Sequence, residues 1–156
     1  MERVLLTWKQ LYWAAQVGVR RNIEAMARGL QHVPALLDDL DEWVNHIEGA
    51  GAELAFAVWR GVVWKATVNT FRSGFDVDRH QVRWAREDHY RLILRDTDNP
   101  AHVFVLVVGR SPEYTIVGWL RAVDGMKPEF LQDYGRGSAY FVPRHLMNPL
   151  DTLPDE

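Results

Sequence analysis

Apolar residues recur at helical spacing through the first third of this chain and switch to alternating spacing near its middle. Residues 5–17 and 20–30 read as two helices with Gly18 and Gly29 at their ends. Pro34 suits the first turn of a longer third helix, along which Leu36, Leu40, Val44, Ile47, Leu54 and Val58 share a face and Gly49 and Gly51 are the weak points. Strands are expected over residues 62–70, 71–77, 81–85, 90–95, 103–108 and 114–121. Val103-Phe104-Val105-Leu106-Val107-Val108 is apolar at every position, which marks a central strand covered on both sides. Past Arg121 the pattern dissolves. Residues 139–142 read as a short edge strand stopped by Pro143, and residues 147–156 as a frayed tail. The expected architecture is a single α/β (α+β) domain. Residues 1–33 form a helical cap on a core of residues 34–146, whose mixed sheet has about five to six strands.

With 156 residues, 47% apolar and 25% charged, the composition is ordinary for a globular chain with one core. No apolar run approaches the roughly 20 residues that span a bilayer. Met1-Glu2-Arg3-Val4-Leu5-Leu6 turns polar too soon for a signal peptide, so a cytoplasmic location without a membrane partner is expected. The absence of cysteine removes disulfides, thiolate metal sites and thiol catalysis together. A net charge of -3 argues against coating nucleic acid by bulk electrostatics, yet the charge is uneven. From Leu37 to Glu53 every charge is negative. From Arg60 to Arg95 the basic residues Arg60, Lys65, Arg72, Arg79, Arg83, Arg86, Arg91 and Arg95 outnumber Asp76, Asp78, Glu87 and Asp88. That half suits a phosphate backbone.

The most informative stretch is Gly74-Phe75-Asp76-Val77-Asp78-Arg79-His80-Gln81-Val82-Arg83, which reads as a tight hairpin. Alternation puts Asp76 and Asp78 on one face of the first arm, and Gln81 and Arg83 on one face of the second. Oxygen ligands beside a fixed positive charge are what a divalent cation held against a phosphate requires. Upstream, Glu53 lies among Gly49, Ala50 and Ala57 on the long helix, where a carboxylate is partly desolvated and calls for a cation or a donor. Convergence of Asp76 with Gln81 depends on a two-residue turn at Asp78-Arg79; if the arm bulges instead, Asp78 becomes the ligand and Asp76 faces away. The plain structural alternative is a solvated, charged hairpin with Glu53 paired to a nearby arginine.

A helix with a glutamate, then a hairpin with an aspartate, then a strand carrying an acid-x-lysine pattern or its substitute resembles the PD-(D/E)XK nuclease superfamily. The likeness covers about residues 53–95, with 103–108 as a following core strand. More narrowly, Trp43-Val44-Asn45-His46-Ile47-Glu48-Gly49-Ala50-Gly51-Ala52-Glu53, Asp76-Val77, Val82-Arg83 and Gly118-Trp119 look like an uncharacterised group of phage and environmental proteins. The resemblance implies a restriction-endonuclease-like core and a Mg²⁺- or Mn²⁺-dependent DNA endonuclease, with a homodimer as a common working form. Asp76 and Gln81 would ligate the metal, Glu53 would be the supporting helix acid, and Arg83 would stand at the lysine position. Two departures matter. Gln81 lends a neutral oxygen where an acid is usual, and Arg83 keeps its proton, so it clamps phosphate and is no general base. The alternative is a noncatalytic DNA-binding or protein-interaction module on the same scaffold.

Basic residues expected to meet nucleic acid are Lys65, Arg72, Arg79, His80 and Arg86, together with Arg20 and Arg21. The last two come from a second pattern: Ala14-Ala15-Gln16-Val17-Gly18-Val19-Arg20-Arg21 resembles the turn of a helix-turn-helix DNA reader, with Gly18 in the turn. The plain alternative is a helical hairpin capping the sheet. His32, His46, His80, His89, His102 and His145 include no pair at the i, i+4 spacing of a helical zinc site. Ser73, Ser111 and Ser138 lack the context of an activated nucleophile.

Overall fold

The computed structural model describes residues 1–29, 42–68, 74–87, 89–133, 135 and 137–155. In chain order the main elements are β1 (Glu2–Leu5), α1 (Trp8–Ala27), α2 (Glu42–Arg60), β2 (His80–Ala85), β3 (Leu92–Leu94), β4 (Val103–Arg110), β5 (Glu113–Arg121), the short α3 (Ala122–Gly125), β6 (Leu131–Asp133) and β7 (Ser138–Val142). The chain is thus mixed α+β.

Helix α1 starts at Trp8 because Thr7 caps it: the Thr7 hydroxyl accepts from Gln10 N, and the Gln10 side chain accepts from Thr7 N at 2.8 Å. Residues before the cap go to β1. The helix then runs unbroken through Gly18, which corrects the expectation of two helices and of a helix-turn-helix. Gly18 serves a different need. A Cβ there would lie 2.5 Å from Ile47 Cα and 2.7 Å from His46 O, so the missing side chain lets α1 and α2 cross at backbone contact. In α2 the Gly49-Ala50-Gly51 passage stays helical, and the Tyr114 hydroxyl occupies the place of a Gly51 side chain, 2.1 Å from where its Cβ would be. Glu48 secures that hydroxyl at 2.6 Å and also accepts from Ser111 N and Ser111 Oγ, which ties the β4–β5 turn to the helix. The expected start at Pro34 lies outside the described residues.

Two sheets replace the single one expected. The first has the order β1-β5-β4-β2, with β2 parallel to β4 and the other pairs antiparallel; the second is antiparallel, in the order β3-β7-β6. Strand β4 is buried on both faces, as its sequence demands. Val103, Val105 and Val107 pack with Val82, Leu54, Phe56 and Val17 under the helices; Phe104, Leu106 and Val108 pack with Leu92, Leu94 and Val142 of the second sheet. Burying such side chains stabilises the fold by about 1.5–3 kcal/mol each.

Three further expectations change. Residues 62–67 form no strand, and of 71–77 only Val77 pairs, with His80; residues 69–73 lie outside the described set. The stretch 139–142 belongs to β7, the middle strand of the second sheet and not an edge. Far from fraying, the tail packs down: Asn148 bridges to Trp119, Leu150 and Leu153 are buried, and Arg60 pairs with Asp155. Among the described residues no helix is long and apolar enough to cross a membrane.

Candidate functional site

The hairpin closes as a two-residue turn. His80 N donates to Val77 O at 2.9 Å, while Asp76 N and Val77 N both donate to His80 O at 3.1 and 3.2 Å, so two residues oppose one in a β-bulge. Asp78 adopts φ 53°, a left-handed conformation that aspartate tolerates better than most residues. Because of the bulge the inward acid is Asp76, whose Oδ2 accepts from Val82 N at 2.8 Å along the outer edge of β2. Asp78 is exposed, so the alternative that makes it the ligand is not the arrangement adopted.

Gln81 and Arg83 alternate with the buried His80 and Val82 and project from the sheet face opposite the helices. The Arg83 guanidinium lies 4.7 Å from the centre of the Phe104 ring and donates to Asp98 Oδ1 at 2.7 Å. Asp98 Oδ2 in turn accepts from Arg95 N at 2.9 Å, which fixes the acid in its turn. Gln81 Nε2 donates to Gly74 O at 2.9 Å.

On the helix side, the crossing at Gly18 brings Arg21, less than one turn further along α1, against Glu53 of α2. Arg21 Nη1 and Nη2 donate to the two Glu53 oxygens at 2.6 and 2.8 Å, and Trp64 Nε1 donates to Oε2 at 3.0 Å. The same guanidinium donates through Nε and Nη2 to Thr67 O at 2.9 and 2.7 Å. Burial pushes the Glu53 pKa up; the Arg21 hydrogen bonds pull it back, and the Asp76 charge adds to the rise. Burial also raises Asp76, against the Val82 amide and the charges of Arg83 and Arg21. For Arg21, burial opposes the charge, but Glu53 and Asp76 together outweigh it and the pKa is raised. His46, two turns before Glu53 on α2, is held below its ordinary pKa by burial and then by Arg21.

The result is two ion pairs, Glu53–Arg21 on the helix side of the sheet and Arg83–Asp98 on the other, with Asp76 at the β2 edge within reach of the charges of both arginines. Arg21 hydrogen-bonds Glu53, and the Asp76 charge reaches both of them through space, adding to the rise at Glu53 and favouring the charged form of Arg21. Gln81 and Arg83 approach from the far side. Lys65 and Arg79 are exposed, Arg86 lies 3.7 Å from Glu87, and Arg20 pairs with Glu24 at 3.3 Å; Arg72 lies outside the described residues. Two expected nucleic-acid contacts are corrected. Arg21 is committed to Glu53 and Thr67, and His80 is 0% exposed, stacked edge-on against Phe56 with Nε2 3.0 Å from Pro154 O, so it offers a phosphate no surface.

Three members of the site escaped the sequence reading. His46 shares a helix face with Glu53 at i, i+7, a spacing visible in the sequence. Trp64 carries no local signal and Asp98 only that of a turn former, which its bond from Arg95 N bears out; the fold alone brings them to Glu53 and Arg83.

A divalent cation meets a loose donor set here. Asp76 accepts a single hydrogen bond from the described residues, Gln81 has a neutral carbonyl oxygen beside its engaged amide nitrogen, and Glu53 stands behind a guanidinium. Among the described residues no three acids or histidines gather into a cage. A hard cation at so sparse a set would have to keep most of its water. Comparison with known proteins finds no matching family model, no matching curated protein and no matching solved structure.

Proposed function

We propose that this chain is a Mg²⁺- or Mn²⁺-dependent DNA phosphodiesterase with a PD-(D/E)XK-like, restriction-endonuclease-type core. The observation that carries the reading is that burial raises the pKa of both Glu53 and the half-buried Asp76, with the Asp76 charge adding to the rise at Glu53 and the charges of Arg83 and Arg21 reaching Asp76. Acids that are desolvated and close enough to repel each other weaken a fold, and such pairs concentrate where chemistry needs them. In this reading Asp76 and the Gln81 carbonyl hold the cation, and Glu53 supports them. The bound cation supplies Lewis-acid stabilisation of the phosphoryl group. Arg83, fixed by Asp98, clamps a phosphate oxygen and stabilises the charge that grows on it. Exposed Lys65 and Arg79 add attraction for the backbone.

A second reading rests on one specific contact. Arg21 already satisfies both Glu53 oxygens, so the pair needs no metal to be neutralised, which favours a noncatalytic DNA-binding module. The two separate on linear, nicked and branched DNA incubated with Mg²⁺ or Mn²⁺. The nuclease cuts at least one of these, and Asp76→Ala abolishes the cut. Gln81→Glu restores the usual second acid and tightens Mn²⁺ binding by calorimetry. Intact DNA in every incubation, with binding that weakens steeply as salt rises, establishes the module instead.

A further inference from the structure

The segment from Asn148 to Asp155 crosses from β5 to the start of β2. Asn148 exchanges backbone hydrogen bonds with Trp119 at 2.8 and 3.2 Å, and Trp119 Nε1 donates to Pro149 O at 2.9 Å. Leu150 and Leu153 then join the helix-side core that holds Phe56, Val82 and Val103. Pro154 O lies 3.0 Å from His80 Nε2, and Asp155 pairs with Arg60 at the end of α2. A carbonyl only accepts, so His80 carries its proton on Nε2 and donates it there. The ring is 0% exposed and its Nδ1 finds no partner among the described residues, so the bond to Pro154 O is the one that offsets its loss of water.

The backbone of the same residue shapes the bulge. His80 O accepts from both Asp76 N and Val77 N, and the turn so closed aims Asp76 Oδ2 at Val82 N. Apart from the buried Val77 the hairpin has little else to hold it. Asp78 and Arg79 are exposed, and among the described residues β2 is the last strand of its sheet.

We propose that residues 148–155 are a strap that sets the Asp76 hairpin through His80, with His80 as a positioning residue. The proposal rests on the reading of Asp76 as a cation ligand. By linkage, a strap that places a ligand is itself steadied when the cation binds.

The test combines Mn²⁺ calorimetry with amide hydrogen exchange on the full chain. In wild type, added Mn²⁺ is expected to slow exchange at Leu153 N, which donates to Leu150 O within the strap. His80→Phe keeps a ring against Phe56 and removes the donor. It weakens Mn²⁺ binding by about tenfold, speeds exchange at Asp76 N and Val77 N, and uncouples Leu153 from the metal. His80→Gln carries an amide N–H as many bonds out as Nε2 and restores all three. Leu153→Ala acts from the strap with His80 intact and shifts Mn²⁺ affinity the same way, which keeps the test open should a His80 variant fail to fold. Tyr114→Phe loses a buried hydrogen bond away from the hairpin and leaves Mn²⁺ affinity at the wild-type value, which separates positioning from general loosening. If His80→Phe or Leu153→Ala binds Mn²⁺ as wild type does and the Asp76 and Val77 amides exchange unchanged, the strap is overturned while Asp76-dependent cleavage stands. If wild type binds no Mn²⁺, the cation reading falls and exchange decides for the strap: His80→Phe frees the hairpin and strap amides together if it holds, and the strap amides alone if it does not.

Discussion

Arg21→Met leaves Glu53 without its bidentate partner in a place that is difficult to hydrate. The two side chains are 17% and 9% exposed, and Trp64 Nε1 is the remaining donor to Glu53 among the described residues. Removing one member of a buried ion pair costs about 3–5 kcal/mol, because the other charge stays desolvated. At about 2–4 °C per kcal/mol for a chain of this size, Tm falls by roughly 10 °C. The pH dependence follows from the direction of the shift. Asp76 and burial already raise Glu53, and loss of Arg21 raises it further, so the folded variant binds a proton more readily than the unfolded chain does. Its stability therefore falls as pH rises through the folded pKa and recovers below it, and the deficit against wild type is greatest at neutral pH. Urea unfolding at several pH values from acid to neutral measures this. A loss below about 1 kcal/mol at neutral pH, typical of exposed pairs, refutes the assignment of a desolvated bridge. Mn²⁺ supplies a second arm: if Glu53 and Asp76 can share a cation, added Mn²⁺ raises the Tm of Arg21→Met more than that of wild type.

Gly18→Ala is expected to destabilise by about 1–3 kcal/mol, despite the better helix propensity of alanine, because the new Cβ meets backbone that cannot rotate aside; a rise in the urea midpoint would contradict the close crossing. Asp76→Asn should stabilise the protein at pH 7, since it removes a charge whose burial raises its pKa and keeps an oxygen for Val82 N, while abolishing DNA cleavage. Thermal melts that show a loss of stability at pH 7 would count against that account. Tyr114→Phe deprives Glu48 and Ser111 of a shared buried partner at a cost of about 1–2 kcal/mol. In the wild type, burial and then Glu48 hold the Tyr114 hydroxyl above the ordinary tyrosine range, so ultraviolet titration should show one of the five tyrosines resisting ionisation until the protein unfolds.

Local pattern made several elements legible. Val103 to Val108 had to be central because every position is apolar, and β4 is covered by helices on one side and a second sheet on the other. The hairpin sequence leaves a two-residue turn at Asp78-Arg79 and a bulged arm as alternatives, and the structure combines them. The helix boundary at Trp8 is equally available, since Thr7 and Gln10 spell a capping box, but Leu5 and Leu6 carry the apolar pattern back to residue 5. Gly18 shows why other elements were not legible. A glycine that ends a helix and one that admits a second helix look alike in one dimension, and only the partner backbone tells them apart. Likewise a short polar-flanked run such as 139–142 carries no mark of having neighbours on both sides.

The sequence by itself determined which residues must avoid water and which carry charge: the apolar strand, the amphipathic helices, the lone glutamate in a small-residue stripe, and the acid-rich turn before a basic strand. These are properties of neighbouring positions, and periodicity exposes them. Tertiary structure decided who neutralises whom. Arg21 reaches Glu53 across 32 residues of chain and Arg83 reaches Asp98 across 15, distances over which pattern carries no register. Ion pairs depend on the meeting of side-chain ends, and that meeting is set by how two helices cross and how one strand bulges, not by any spacing along the chain.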